Sequence, residues 1–83
     1  ELAAKQGTAA GSVVLVALSL GRSTTYYFEH SSDQKTWTSE PDVHVCKTTV
    51  SGLTPGQTYY FRFRALVGST PHAYSQIVAF MVK

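Results

Sequence analysis

A single cysteine, Cys46, stands in a chain of 83 residues, so no intrachain disulfide can staple the fold. Burial alone must hold it together, and the redox compartment is left open. Charge is scarce too: 14% of residues are charged and the formal net charge is +2. The seven Lys and Arg are scattered, and only Arg62 and Arg64 lie close together. A phosphate-binding surface needs a basic cluster or stripe, so no nucleic-acid partner is expected. The apolar run VVLVAL, residues 13–18, is far shorter than the roughly 20 residues of a membrane helix. It also falls short of a secretory h-region, and SLGRSTTYY after it lacks an A-x-A cleavage site. No membrane insertion is expected.

A helical period is also missing, and what stands in its place is a series of short extended segments. Residues 12–18 are β-branched and aliphatic, and residues 24–31, TTYYFEHS, are aromatic and β-rich. SLGRST between them reads as a loop with Gly21 at a special angle. SSDQK is a turn whose Ser and Asp can bond their own backbone. TWT resumes an extended path until Pro41, which cannot donate to a ladder. Residues 43–50 read as a further strand. Residues 58–67 alternate, with Tyr59, Phe61, Phe63 and Ala65 on one face and Tyr60, Arg62, Arg64 and Leu66 on the other. GSTPHA is a loop, and residues 76–82 form the last strand. Seven short strands separated by turn signals every 8–12 residues or so predict an all-β, immunoglobulin-like two-sheet sandwich. The whole chain, residues 1–83, is one domain.

The most informative stretch is SGLTPGQTYYFRFRA, residues 51–65. A core Leu, a Pro-Gly turn and a Tyr heading an alternating strand resemble the corner of fibronectin type III domains. The resemblance implies that Tyr59 is the corner tyrosine, bonding back to nearby backbone, with Leu53 packed beneath it and Pro55 and Gly56 making the turn. It extends over the chain, with residues 2–5 as a short first strand, and the SSDQKTW hairpin is like those of bacterial members. The family usually buries a Trp on its second strand, and Ala17 stands at that place here. Phe28, Phe61, Phe63 and Phe80 are expected to restore the volume, Trp37 being a weaker candidate.

Chemistry is thinly represented. Ser, His and Asp occur, but with no Gly-x-Ser-x-Gly elbow and no paired carboxylates, so no enzyme is expected. His30, His44, His72 and Cys46 have no usable ligand spacing, and Cys46 is expected to point inward as a small hydrophobe. No metal and no cofactor is expected. SSDQKTW is similar to an Asp-box hairpin but lacks that motif's Gly.

Two surfaces remain as candidates. Tyr27, Glu29, Tyr60, Arg62 and Arg64 should share the outer face of one sheet, where Arg and Tyr make a good contact surface. A plain cross-strand pair of Glu29 with Arg62 is the simpler reading. On the other sheet, Val13, Leu15 and Ala17 facing the core would put Val14, Val16 and Leu18 outside, with Val45 and Thr49 beside them and Lys5 and Lys47 as the main charges. A lone domain rarely keeps a contiguous apolar patch, so this face is expected to touch a protein partner, a neighbouring domain or a second copy. The chain begins at Glu1 without Met and is expected to be a module of a larger, multidomain protein, with a secreted or cell-surface setting favoured. The expected role is non-catalytic adhesion, spacing or assembly. The alternative is an accessory domain of a polysaccharide-degrading enzyme, contacting glycan through Trp37 or the Tyr27 and Tyr60 face.

Overall fold

The computed structural model describes residues 2–18, 21 and 23–83. Its strands are β1 (Leu2–Gln6), β2 (Val13–Ala17), β3 (Thr24–Ser31), β4 (Thr38–Ser39), β5 (Lys47–Val50), β6 (Thr58–Val67), β7 (Thr70–Pro71) and β8 (Val78–Met81). They form a three-stranded sheet, β1-β2-β5, and a five-stranded one in which β4, β3, β6 and β7 follow in order and β8 also pairs β6. All pairs are antiparallel.

Alternation decides what each strand buries. Val13, Leu15 and Ala17 on β2 point into the core, as do Tyr26 and Phe28 on β3 and Tyr59, Phe61, Phe63 and Ala65 on β6. Leu2, Val50, Leu53 and Val82 close the same cluster, and Phe80 packs against it half-buried. Tyr26, Phe28 and Phe63 form an aromatic triad, with ring centroids 5.8–6.3 Å apart. Ala17 is buried as expected, in the same core cluster as Phe28, Phe61 and Phe63. Trp37 takes no part in the core: it lies half-buried on the opposite, outer face of the larger sheet.

Three sequence expectations need correction. The strand read over residues 43–50 splits. Val43 makes an isolated bridge to Tyr26, in the five-stranded sheet, and only Lys47–Val50 joins β2. Residues 44–46 bend because the chain must cross from one sheet to the other there. The loop read at GSTPHA contains β7, whose Thr70 and Pro71 pair with Val67 and Leu66. β6 is ten residues long and outruns β8, so its far end needs this extra partner; eight strands result instead of seven. The last strand is Val78–Met81, shorter than read. Of the loop read at SLGRST, Ser19, Leu20 and Arg22 lie outside the described residues, while Gly21 has φ +95°.

One glycine fastens the ends of the sandwich. Gly11 has φ +74°; its N–H donates to Lys83 O at 2.9 Å and its carbonyl accepts from Leu53 N–H at 3.0 Å. A Cβ there would sit 2.3 Å from Leu53 O, so the approach demands glycine.

Candidate interaction surfaces

The corner ties the start of β6 to the segment before it. The Tyr59 hydroxyl accepts a hydrogen bond from Thr54 N–H at 3.0 Å, over a buried Leu53. Gly56, with φ +89°, donates its N–H to Val82 O at 2.7 Å, and Pro55 and Gly56 make the turn. The Thr54 hydroxyl and backbone N–H beside it hold the phenol of Tyr59 below its ordinary value, because donors favour the charged oxygen. At the other turn, Asp33 Oδ1 accepts from Lys35 and Thr36 N–H, and Ser31 Oγ accepts from Asp33 and Gln34 N–H. The Thr36 and Lys35 N–H bonds, with the Ser31 hydroxyl, lower the Asp33 pKa.

The outer face of the five-stranded sheet carries a stack of arginines and rings. Glu29 lies opposite Arg62 and Tyr27 opposite Arg64. Arg62 Nε donates to Glu29 Oε1 at 2.8 Å, and the Tyr74 hydroxyl donates to Glu29 Oε2 at 3.0 Å. The Arg62 guanidinium carbon sits 4.0 Å from the centre of the Trp37 ring and 3.9 Å from that of Tyr74. Arg64 lies 5.5 Å from Tyr27 and 5.6 Å from Tyr74. Tyr60, half-buried, faces Ser31 and Ala79 across its neighbouring strands. Cation–π contacts contribute about 0.5–2 kcal/mol each, more when desolvated. Arg62 and Glu29 are largely shielded, and both sides of the Arg62 plane are occupied. Sequence reading found Glu29 and Arg62 but not Trp37 and Tyr74 as their partners. Alternation relates positions within one strand pair, and Trp37 and Tyr74 lie outside the strands.

The outer face of the three-stranded sheet has no such stack. β1 pairs Ala3 with Val16 and Lys5 with Val14, and β5 brings Lys47 opposite Val16 and Thr49 opposite Val14. Val14 and Val16 are half-buried, whereas Leu18 and Val45 are 59% and 63% exposed. Val45 precedes β5, and the register continued by the Ala17 N–H bond to Cys46 O (2.7 Å) carries it alongside Leu18. A shallow groove of about 220 Å³ opens between Ala3, Val16, Ala17 and Leu18. Ala17, whose side chain points into the core, also lines this groove.

His30 binds Glu40 at 2.6 Å, His44 meets Thr25 at 3.3 Å, and Cys46 packs half-buried against the core. Among the described residues no three His, Cys, Asp or Glu side chains are grouped to hold a metal ion. No helix of the described residues is long and apolar enough to cross a membrane.

No family model and no curated protein matches the chain. Among solved structures, a chain from a cytokine receptor complex superposes with a TM-score of 0.83 over 98% of this chain, at 19% identity. The chain is an immunoglobulin-like β-sandwich. It spans about half the length of that receptor chain, 48%, and at this identity the likeness is one of fold.

Proposed function

We propose that the chain is a fibronectin type III domain serving as a non-catalytic protein-interaction module of a larger protein, in adhesion, spacing or assembly. Its contact surface is the outer face of the sheet formed by β1, β2 and β5. The Tyr59–Thr54 bond over Leu53 supports the family reading, and the receptor-type fold is consistent with a binding role.

The observation that carries the choice of face is the row Val14, Val16 and Leu18 beside Val45, with a shallow groove lined by Val16 and Leu18. Covering each exposed Val or Leu would stabilise a complex by about 1.5–3 kcal/mol. Lys5 and Lys47 give this patch a polar rim, as contact patches commonly have. The opposite face is a poorer candidate, because the Arg62 guanidinium is already enclosed by Trp37 and Tyr74. One face of the Trp37 ring is occupied in the same way, and no observation favours a glycan there.

A photo-crosslinking side chain at Val16, carried in the longest polypeptide that contains this domain, tests the reading. It should join to a partner surface, while one at Thr58, exposed on the other sheet, should not. Equal joining from both positions contradicts the choice of face.

A further inference from the structure

We infer that the partner of the β1-β2-β5 face is acidic: a protein surface with an apolar centre and carboxylates on both sides of it. This names the chemistry of the proposed contact and rests on that reading. The register sets two rows across the sheet, Lys5, Val14, Thr49 and then Ala3, Val16, Lys47. The two valines are half-buried and the other four residues are exposed. Strand spacing and rise put the lysine Cα atoms about 12 Å apart, diagonally across the valines. Lys5 stands on a backbone held at both ends. Leu2 O accepts from Gln76 Nε2 at 3.1 Å, and Gln6 Oε1 accepts from Lys83 N–H at 2.9 Å.

No carboxylate answers these two charges. β1, β2 and β5 contain neither Asp nor Glu. Glu29 is bonded to Arg62 on the other sheet, Glu40 to His30, and Asp33 to the turn after β3. Asp42 adjoins Val43, which bridges to Tyr26 of the other sheet. Among the described residues neither lysine has an ion pair.

Unpaired cations on both sides of an apolar centre match a surface that sets carboxylates opposite them. The groove between Ala3, Val16, Ala17 and Leu18 seats an apolar side chain of that surface. A second copy fits poorly, because it brings two more cations and no carboxylate. Their repulsion would act within roughly 10 Å, the Debye length at about 0.1 M salt. An anionic lipid surface is recognised by clusters of about 4–8 basic residues, and these strands carry only Lys5 and Lys47.

The test uses the photo-crosslinking side chain at Val16, in the longest polypeptide that contains this domain, photolysed in an extract of the cells that make it. The joined segment, read by mass spectrometry, should carry Asp or Glu on both sides of apolar residues. Lys5→Glu with Lys47→Glu should lower the yield about tenfold or more, with circular dichroism unchanged. Lys5→Gln with Lys47→Gln, a pair that introduces no new charge, should lower it about threefold. Raising salt from about 50 mM to about 500 mM should lower it too, whereas a purely apolar contact would not weaken. Lysines in place of the joined segment's carboxylates should restore joining to the charge-reversed variant. Joining to a second copy, or to a segment without carboxylates, overturns the inference while the contact face stands. So does a yield indifferent to charge reversal and salt, which would leave the lysines as a solubilising fringe. Joining to lipid, or no more joining at Val16 than at Thr58, contradicts the contact face itself and this inference with it.

Discussion

Tyr59 and Thr54 are joined by one hydrogen bond, from the Thr54 N–H to the phenolic oxygen, 3.0 Å long. That bond ties the start of β6 to the corner that precedes it. Tyr59→Phe keeps the buried ring and removes the acceptor. It should lower stability by about 0.5–1.5 kcal/mol in urea unfolding, with the circular dichroism unchanged. An unaltered midpoint would show that the corner bond contributes nothing.

Gly11 lies where the backbones of Leu53 and Lys83 converge. Gly11→Ala forces a side chain into a left-handed φ, costing about 1–3 kcal/mol, and presses it on Leu53 O besides. A marked fall in melting temperature is expected. Gly52, also at positive φ but with open space around its Cβ position, should tolerate Ala better. Equal losses at both positions would contradict the close approach.

Arg62 is held between Trp37 and Tyr74 and bonded to Glu29. Arg62→Lys keeps the charge but loses the planar group that stacks on both rings. It should destabilise the domain by about 1 kcal/mol and shift the emission of Trp37, the one tryptophan in the chain. Unchanged emission would mean that the stack does not persist in solution.

Much of this architecture was legible beforehand, and the exceptions have physical causes. The alternation of β6 and the Leu-Thr-Pro-Gly corner read directly, because local chemistry determines both. The inward set Val13, Leu15 and Ala17 also followed from alternation. The break after Val43 did not, since crossing between sheets is a tertiary demand with no local signal. Tyr26 was not named as a core ring, although the outward placing of Tyr27 and Glu29 puts it inward beside Phe28 by alternation. Trp37 and Tyr74 meet at Arg62 from segments 37 residues apart in sequence. The apolar stretch at residues 77–82 read simply as a last strand; that its two ends are tied to β1, through Gln76 with Leu2 and Lys83 with Gln6, emerges from the fold.

Asp33 gives the turn after β3 a pH dependence. Its folded pKa lies below the ordinary 3.8 because of the Thr36 and Lys35 N–H groups and the Ser31 hydroxyl. The charged form is thus favoured in the folded chain. Its stabilisation is complete above the unfolded value and is lost as pH falls through the lower folded value. The melting-temperature gap between the parent and Asp33→Asn should be constant at neutral pH and shrink below about pH 4. A gap that does not depend on pH would contradict this.

Val16 offers the most direct test of the contact face. Its side chain lies on the outer side of β2, half-buried between Ala3 and Lys47. Val16→Lys places a charge where it need only meet water in the free domain, but would be buried unpaired under a partner. Sizing of the longest polypeptide that contains this domain, with circular dichroism of the domain itself, reads both effects. The account predicts a folded sandwich that has lost the contact. A folded variant that assembles as the parent does would contradict it.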